Sequence, residues 1–414
     1  MKKSVVALAV LGAFTSAAFA QSSVTLYGRI DQNVTYQNPG NFVAMKNGAD
    51  KGKSAMKIND GSVNGMGSSR IGMKGTEDLG SGLKAYFVLE AQVTADTGDA
   101  GSRATQTSST SFFNREAYVG LGSTSYGDVR LGRLETISRE TDRRVNDASG
   151  ENELNIAEAV DNYYDGTGPN NGTEHKQVRP LFQNFGTRID NAISYRSPSI
   201  GGLQGVVTIG LSENYKSGTA GVPVSGDTHG LEYRGLGAIY NLGPFNAAVS
   251  YEEVASNKVR GGSFDNTVTV GANYDFGMAV LYLAYQNSTD ISRDALSGSN
   301  SLSFAGAPLV NPDDSKGVDH EAFNVGVKVP VGNFTFKVQY TESNISGLRT
   351  SGGTAAENYA VRGGQLKQYK YGGIVSYAFS KRTSVYAVAS ARGGDGDQYF
   401  QRKNEYAIGI GHNF

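Results

Sequence analysis

Side chains able to do chemistry are few in this sequence, and they are scattered. Four histidines, His175, His229, His320 and His412, are the only groups whose unperturbed titration falls near neutral pH. None is paired with a serine nucleophile by any legible spacing. The first three lie in or beside long connections, and His412 lies near the C-terminus. The chain has no cysteine, which excludes thiolate nucleophiles, disulfides and Cys-ligated metals. Glu151 and Glu153 have the form of an acid–base carboxylate pair, but such pairs are common in acidic loops. Gly393-Gly394-Asp395-Gly396-Asp397 echoes a calcium-binding glycine–aspartate repeat once, lacks the further spaced carboxylates a cation needs, and reads as a loop tip. The residues therefore call for no enzyme activity, no cofactor and no metal.

Charge is abundant and balanced. The chain carries 38 Lys and Arg against 39 Asp and Glu, which leaves no basic excess for a nucleic-acid partner. Residues 1–20 read as an export signal: Lys2 and Lys3, an apolar stretch from Val5 to Ala13, then the small-x-small site Ala18-Phe19-Ala20. That stretch is too short to span a bilayer, which takes about 20 residues of helix. The expected mature unit is 21–414. Its net charge is −3 once Lys2 and Lys3 are taken from the total of −1.

The elements that must position these charges show a period of two. In residues 333–341, Phe334, Phe336, Val338 and Tyr340 share one face of a strand, and Asn333, Thr335, Lys337, Gln339 and Thr341 share the other. Leu203, Gly205, Val207 and Ile209 keep the same time, as do Phe323, Val325, Val327 and Val329. In 278–288 and 382–392 both parities carry apolar groups; a subunit interface is one cause. Sixteen strands are read in all, among them 23–36, 68–77, 83–94, 112–122, 188–197 and 404–414. Tight turns rich in Gly and Ser alternate with long connections, among them 37–67, 95–111 and 137–187. Short turns on one rim, long loops on the other and an even strand count predict an all-β fold. It is a 16-stranded antiparallel transmembrane β-barrel of a bacterial outer membrane, with periplasmic turns and external loops. The 23 Tyr and 18 Phe against 9 Pro suit a barrel with aromatic belts.

Several segments, in order, carry a family resemblance. They are Val24-Thr25-Leu26-Tyr27-Gly28-Arg29-Ile30-Asp31, Ser69-Arg70-Ile71-Gly72-Met73-Lys74-Gly75, Asn114-Arg115-Glu116-Ala117-Tyr118-Val119-Gly120-Leu121 and the ending Gly409-Ile410-Gly411-His412-Asn413-Phe414. Together they resemble the general-diffusion porins of Gram-negative bacteria, in the β-proteobacterial style. The resemblance implies a homotrimer of passive, water-filled channels for small hydrophilic solutes and ions. It further implies that the third external loop folds into the lumen, where its acidic groups face a basic wall. Matched motif by motif, that wall is Arg29, Arg70, Arg115 and Arg188. Alternation agrees for three of them: Arg29 shares parity with Thr25, Asp31 and Asn33, Arg70 with Lys74, and Arg188 with Asp190, Ser194 and Arg196. Arg115 instead shares parity with Ala117, Val119 and Leu121. Either a bulge shifts the register there, or Glu116 sits at the rim or a subunit interface.

The third long connection, 137–187, is the longest of the eight. An unconstricted sixteen-stranded barrel would leak metabolites, so an insert of this length is expected to narrow it. It holds nine acidic and five basic residues, four net negative charges. Glu151, Glu153, Glu158 and Asp161 are the candidates for the acidic side of the eyelet. The terminal Phe414 resembles the signal read by the outer-membrane assembly machinery; the alternative is an aromatic-belt residue. Two functions stay open: a diffusion pore selecting by size and field, and a channel with a saturable site for one solute class.

Overall fold

The computed structural model describes residues 23–39, 55–61, 64–100, 112–141, 162–164, 174–176, 188–211, 231–256, 264–291, 303–304, 307–308, 318–346, 365–394 and 402–414. The expected export signal 1–20 and the loop carboxylates Glu151, Glu153, Glu158 and Asp161 lie outside them. The wall begins with β1 (Ser23–Pro39), a β2 in two pieces (Ala55–Asp60 and Arg70–Gly80), β3 (Leu83–Thr94), β4 (Ala117–Ser123) and β5 (Gly127–Glu135). It continues through β6 (Arg188–Arg196), β7 (Leu203–Gly210), β8 (Leu231–Leu242), β9 (Phe245–Ser256), β10 (Phe264–Asp275) and β11 (Val280–Ile291). The last five are β12 (Val318–Val331), β13 (Phe334–Ser346), β14 (Gln365–Ala378), β15 (Thr383–Gly394) and β16 (Arg402–Asn413).

Every strand pairs antiparallel with the next, and β16 returns to β1 in a ladder from Arg29↔Asn413 to Pro39↔Arg402. The sixteen strands close on themselves, and no sheet edge is left to find a partner in lipid. The seam ends on Phe414, whose N–H and C=O both bond the backbone of Gly28, at 3.1 and 3.2 Å. Its ring lies over Gly28, where an added Cβ would collide with the ring carbons.

The period of two becomes two surfaces. Val24, Leu26, Val338 and Ile408 are exposed on the outer face, while Asn33, Thr35, Ser250 and Thr267 are buried on the inner one. This is the arrangement a wall between lipid and a polar interior requires. The turns suit the residues read for them: Gly80, Ser81 and Gly82 between β2 and β3 all take positive φ, as does Gly243 between β8 and β9.

Three expectations change. The connection read as 37–67 contains the upper piece of β2, which pairs with β1 from Gln32↔Asp60 to Gln37↔Ala55. The strand read as 112–122 starts at Ala117, because a bulge precedes it. In β15 the lipid face is Val385, Ala387 and Ala389, and the apolar inner residues Tyr386 and Val388 join Ile374 and Ala407 in a small interior cluster covered by Met66. That mixed parity has an internal cause. In β11, Leu283 and Tyr285 are exposed on the outside, with Ala284 and Gln286 buried inside.

Candidate functional site

Arg29 and Arg70 stand directly opposite each other on β1 and β2, both on the inner parity. The Arg29 guanidinium lies 3.2 Å from Asp31, a fully buried carboxylate that also accepts the Tyr386 hydroxyl at 2.5 Å and the Met66 N–H at 3.2 Å. Arg70 is within electrostatic reach of Glu90 and Tyr27, and the Tyr27 hydroxyl donates to Glu90 at 3.0 Å. Glu90 also forms a buried ion pair with Arg115. One carboxylate on β3 therefore links the cations of β2 and of the segment before β4.

Arg115 reaches the interior through a β-bulge. The Glu90 N–H bonds the carbonyl of Glu116, while the Arg115 N–H bonds the carbonyl of Glu90. Two residues thus oppose one, and parity flips between Arg115 and Ala117. Val119 and Leu121 stay exposed on the lipid side. Glu116 faces inward too, lining a cavity of about 200 Å³ with Tyr118, Arg130, Glu135, Glu140 and Arg196. Of the alternatives read from the sequence, the structure has the bulge.

Arg188 is also buried, 3.3 Å from Glu135 and near Arg115 and Arg139. Its expected alternation with Asp190, Ser194 and Arg196 fails, however. The ladder with β5 skips between Ile189 and Ala192, Asn191 takes φ +52, Asp190 turns out to an ion pair with Arg133, and Ile189 packs over Gly210. A strict period of two does not survive an extra residue in the strand.

The four arginines thus form an arc on one side of the wall, interleaved with Asp31, Glu90 and Glu135. Sequence reasoning missed Glu90 and Glu135 as partners. Asp31 was signalled by sharing parity with Arg29.

The third long connection starts with a short helix, α1 (Ile137–Thr141), which turns into the barrel. Ile137 is buried against Val206, Ile239 and Ala248, each three residues from the short-turn end of its strand. The N–H groups that a helix start leaves unpaired are satisfied by the wall. Ile137 N–H bonds the Tyr233 hydroxyl at 3.0 Å, and Ser138 N–H bonds the fully buried Glu252 carboxylate at 2.8 Å. Tyr233 in turn donates to Glu252 at 2.5 Å. Glu140 forms an ion pair with Arg196 of β6. Anions at a helix N-terminus are favoured by its unpaired donors and dipole, so Glu252 holds the helix where it enters the lumen. His412, on the outer face, bonds Thr383 at 2.9 Å.

The sequence profile of the Gram-negative porin family matches residues 7–397. The chain belongs to that family. An outer membrane porin of Bordetella pertussis is 29% identical over the whole of both chains. Outer membrane porin protein 32 of Delftia acidovorans is 34% identical over 75% of this chain and 76% of its own. Among solved structures, an anion-selective porin from Comamonas acidovorans superposes with a TM-score of 0.63 at 24% identity, covering 95% of this chain and all of that one. The trimer form of OmpT from Vibrio cholerae gives 0.55 at 14% identity, covering 95% and 99%. The porin is therefore a passive channel of the bacterial outer membrane, with a closed sixteen-stranded wall as its conducting frame. Family and fold are those of a channel.

Proposed function

We propose that this porin passes small hydrophilic solutes and ions down their gradients through a charged constriction. Its basic side is Arg29, Arg70, Arg115 and Arg188. Its acidic side is the third connection, 137–187, with Glu151, Glu153, Glu158 and Asp161. The observation that carries the reading is the entry of α1 into the barrel: Ile137, at the start of the 51-residue connection 137–187, is buried on the inner wall, and a connection of that length has the reach to span the lumen. A transverse field between the two sides orients dipolar solutes and sorts ions without a binding step. The wall carboxylates Asp31, Glu90 and Glu135 hold the arginine side chains in place and cut their net charge, so the field depends on the arc as a whole.

The working form on this reading is a homotrimer in outer-membrane lipid, assembled through the terminal Phe414 by the outer-membrane machinery after removal of residues 1–20. The trimeric form of a structural neighbour supports the oligomer. Deleting residues 150–175 tests the constriction: single-channel conductance rises and larger sugars pass, with the barrel still inserted. Unchanged conductance in inserted channels would overturn it.

A further inference from the structure

Opposite the two β1 residues Ile30 and Asp31, β2 has nine, 61–69, between Asp60↔Gln32 and Arg70↔Arg29. Two would continue the ladder, so the surplus leaves the sheet. It leaves inward. The Gly61 N–H bonds the Asp31 carbonyl at 2.8 Å, and the Asp31 N–H bonds the Ser69 hydroxyl at 2.9 Å. Ser69 N–H bonds the Asp60 carboxylate at 2.9 Å, and Met66 N–H reaches the Asp31 carboxylate. The Met66 side chain packs on Ile374, Tyr386, Val388 and Ala407, with its sulfur 3.3 Å from the Ser384 hydroxyl. Asn64, Gly65, Gly67 and Ser68 are buried. These contacts hold the insert as a folded element on the inner face of β1 and β14–β16, where they also account for apolar side chains inside a polar wall.

Helix α1 packs on β8, β9 and β10. In a ring of sixteen strands, β8 and β16 are half a turn apart, so the two inward elements stand on opposite walls. Sixteen strands at about 4.8 Å spacing and a tilt of about 40° make a backbone ring about 32 Å across. We infer that the insert, through Gly61 and the segment from Asn64 to Ser69, forms the second wall of the constriction and sets its size limit. The insert carries no charged residue, so it filters by size and leaves the sign of the permeating ion to the arginine arc. This inference deepens the proposed constriction, yet it rests on the insert's own contacts and is tested with 137–187 intact.

The experiment replaces residues 61–69 by Thr-Val, polar opposite Asp31 and apolar opposite Ile30, making β2 continuous. Single-channel conductance should rise about 1.5-fold or more, since a backbone segment about 5 Å thick is withdrawn from the lumen. Larger sugars should pass, and the reversal potential in a salt gradient should stay unchanged. Unchanged conductance in inserted channels, or a shifted reversal potential, overturns the inference. If the replacement fails to insert, Met66→Ala in the native-length chain decides, because it removes the side chain that seats the insert on Ile374, Tyr386, Val388 and Ala407. A loosened insert should make the single-channel current fluctuate between levels, with the reversal potential unchanged. A steady current at the parent's conductance in inserted Met66→Ala channels places the insert away from the water path.

Discussion

Glu252 and Glu253 are neighbours on β9 with opposite duties. Glu252 is fully buried and receives two hydrogen bonds, from Tyr233 and from the Ser138 N–H of α1. Glu253 is on the outer side, bonded to Tyr251 at 2.5 Å. Changing Glu252 to Leu strands two buried donors, at about 1–3 kcal/mol each, so docking of the helix loses about 2–6 kcal/mol. Burial of Ile137, the main apolar contribution to docking, is worth only about 2 kcal/mol. A loss of about 2 kcal/mol already shifts the docked population ~30-fold. We therefore expect E252L channels to insert normally but to show strong current fluctuation between conductance levels, and to be cut by trypsin within 137–187 from the loop side. E253Q removes the same formal charge from a wet position, where a pair is worth about 0–1 kcal/mol, and should record and digest like the parent. Quiet, protease-resistant E252L channels, or identical behaviour of the two variants, would refute the anchoring of α1 by Glu252.

Three further outcomes follow from the same geometry. Neutralising Arg29, Arg70 and Arg188 together should move the reversal potential toward cations, most strongly at 0.01 M salt where the Debye length is about 30 Å; an unmoved potential would place the arc outside the ion path. Arg115→Met takes the ion-pair partner from the buried Glu90 carboxylate, leaving it the Tyr27 hydroxyl and the field of Arg70, and should lower the heat stability of the inserted barrel by up to about 3–5 kcal/mol, with much of it restored in the Arg115→Met/Glu90→Gln double variant, as thermal scans in detergent would show. Gly28→Ala pushes a methyl into the Phe414 ring and should slow membrane insertion as deletion of Phe414 does, with normal conductance in molecules that do insert; insertion of either variant at the parent's rate, followed by heat-modifiable mobility, would count against the seam as the assembly signal.

Regular alternation made much of the wall legible. Phe334, Phe336 and Val338 could only be an outer face, and Arg29 with Asp31 could only be an inner one, because a strand offers its side chains no third direction. Legibility ended wherever an extra residue entered a strand. At Arg115 and Arg188 a single added residue reverses parity, and no side-chain pattern in one sequence marks where that occurs. The insert at 61–69 was hidden for a related reason: its residues up to Gly67 read as loop, while the six residues Ala55–Asp60 before it were too few to register as a strand. The interior cluster at Tyr386 and Val388 looked like a two-sided lipid or subunit surface because its cover, Met66, is more than 300 residues away in sequence. The partners Glu90 and Glu135 were missed because ion pairing across a sheet depends on register, which the bulges alter.

The central claim is passive diffusion through a filtered pore, and the measurement closest to it is solute flux against concentration. In liposomes containing the purified porin, the initial influx of a small neutral sugar should rise in direct proportion to its concentration across the accessible range. The same sugar should not block ion current through single channels. Flux that saturates, together with concentration-dependent current block by that solute, would contradict this account and establish a channel with a binding site for its substrate.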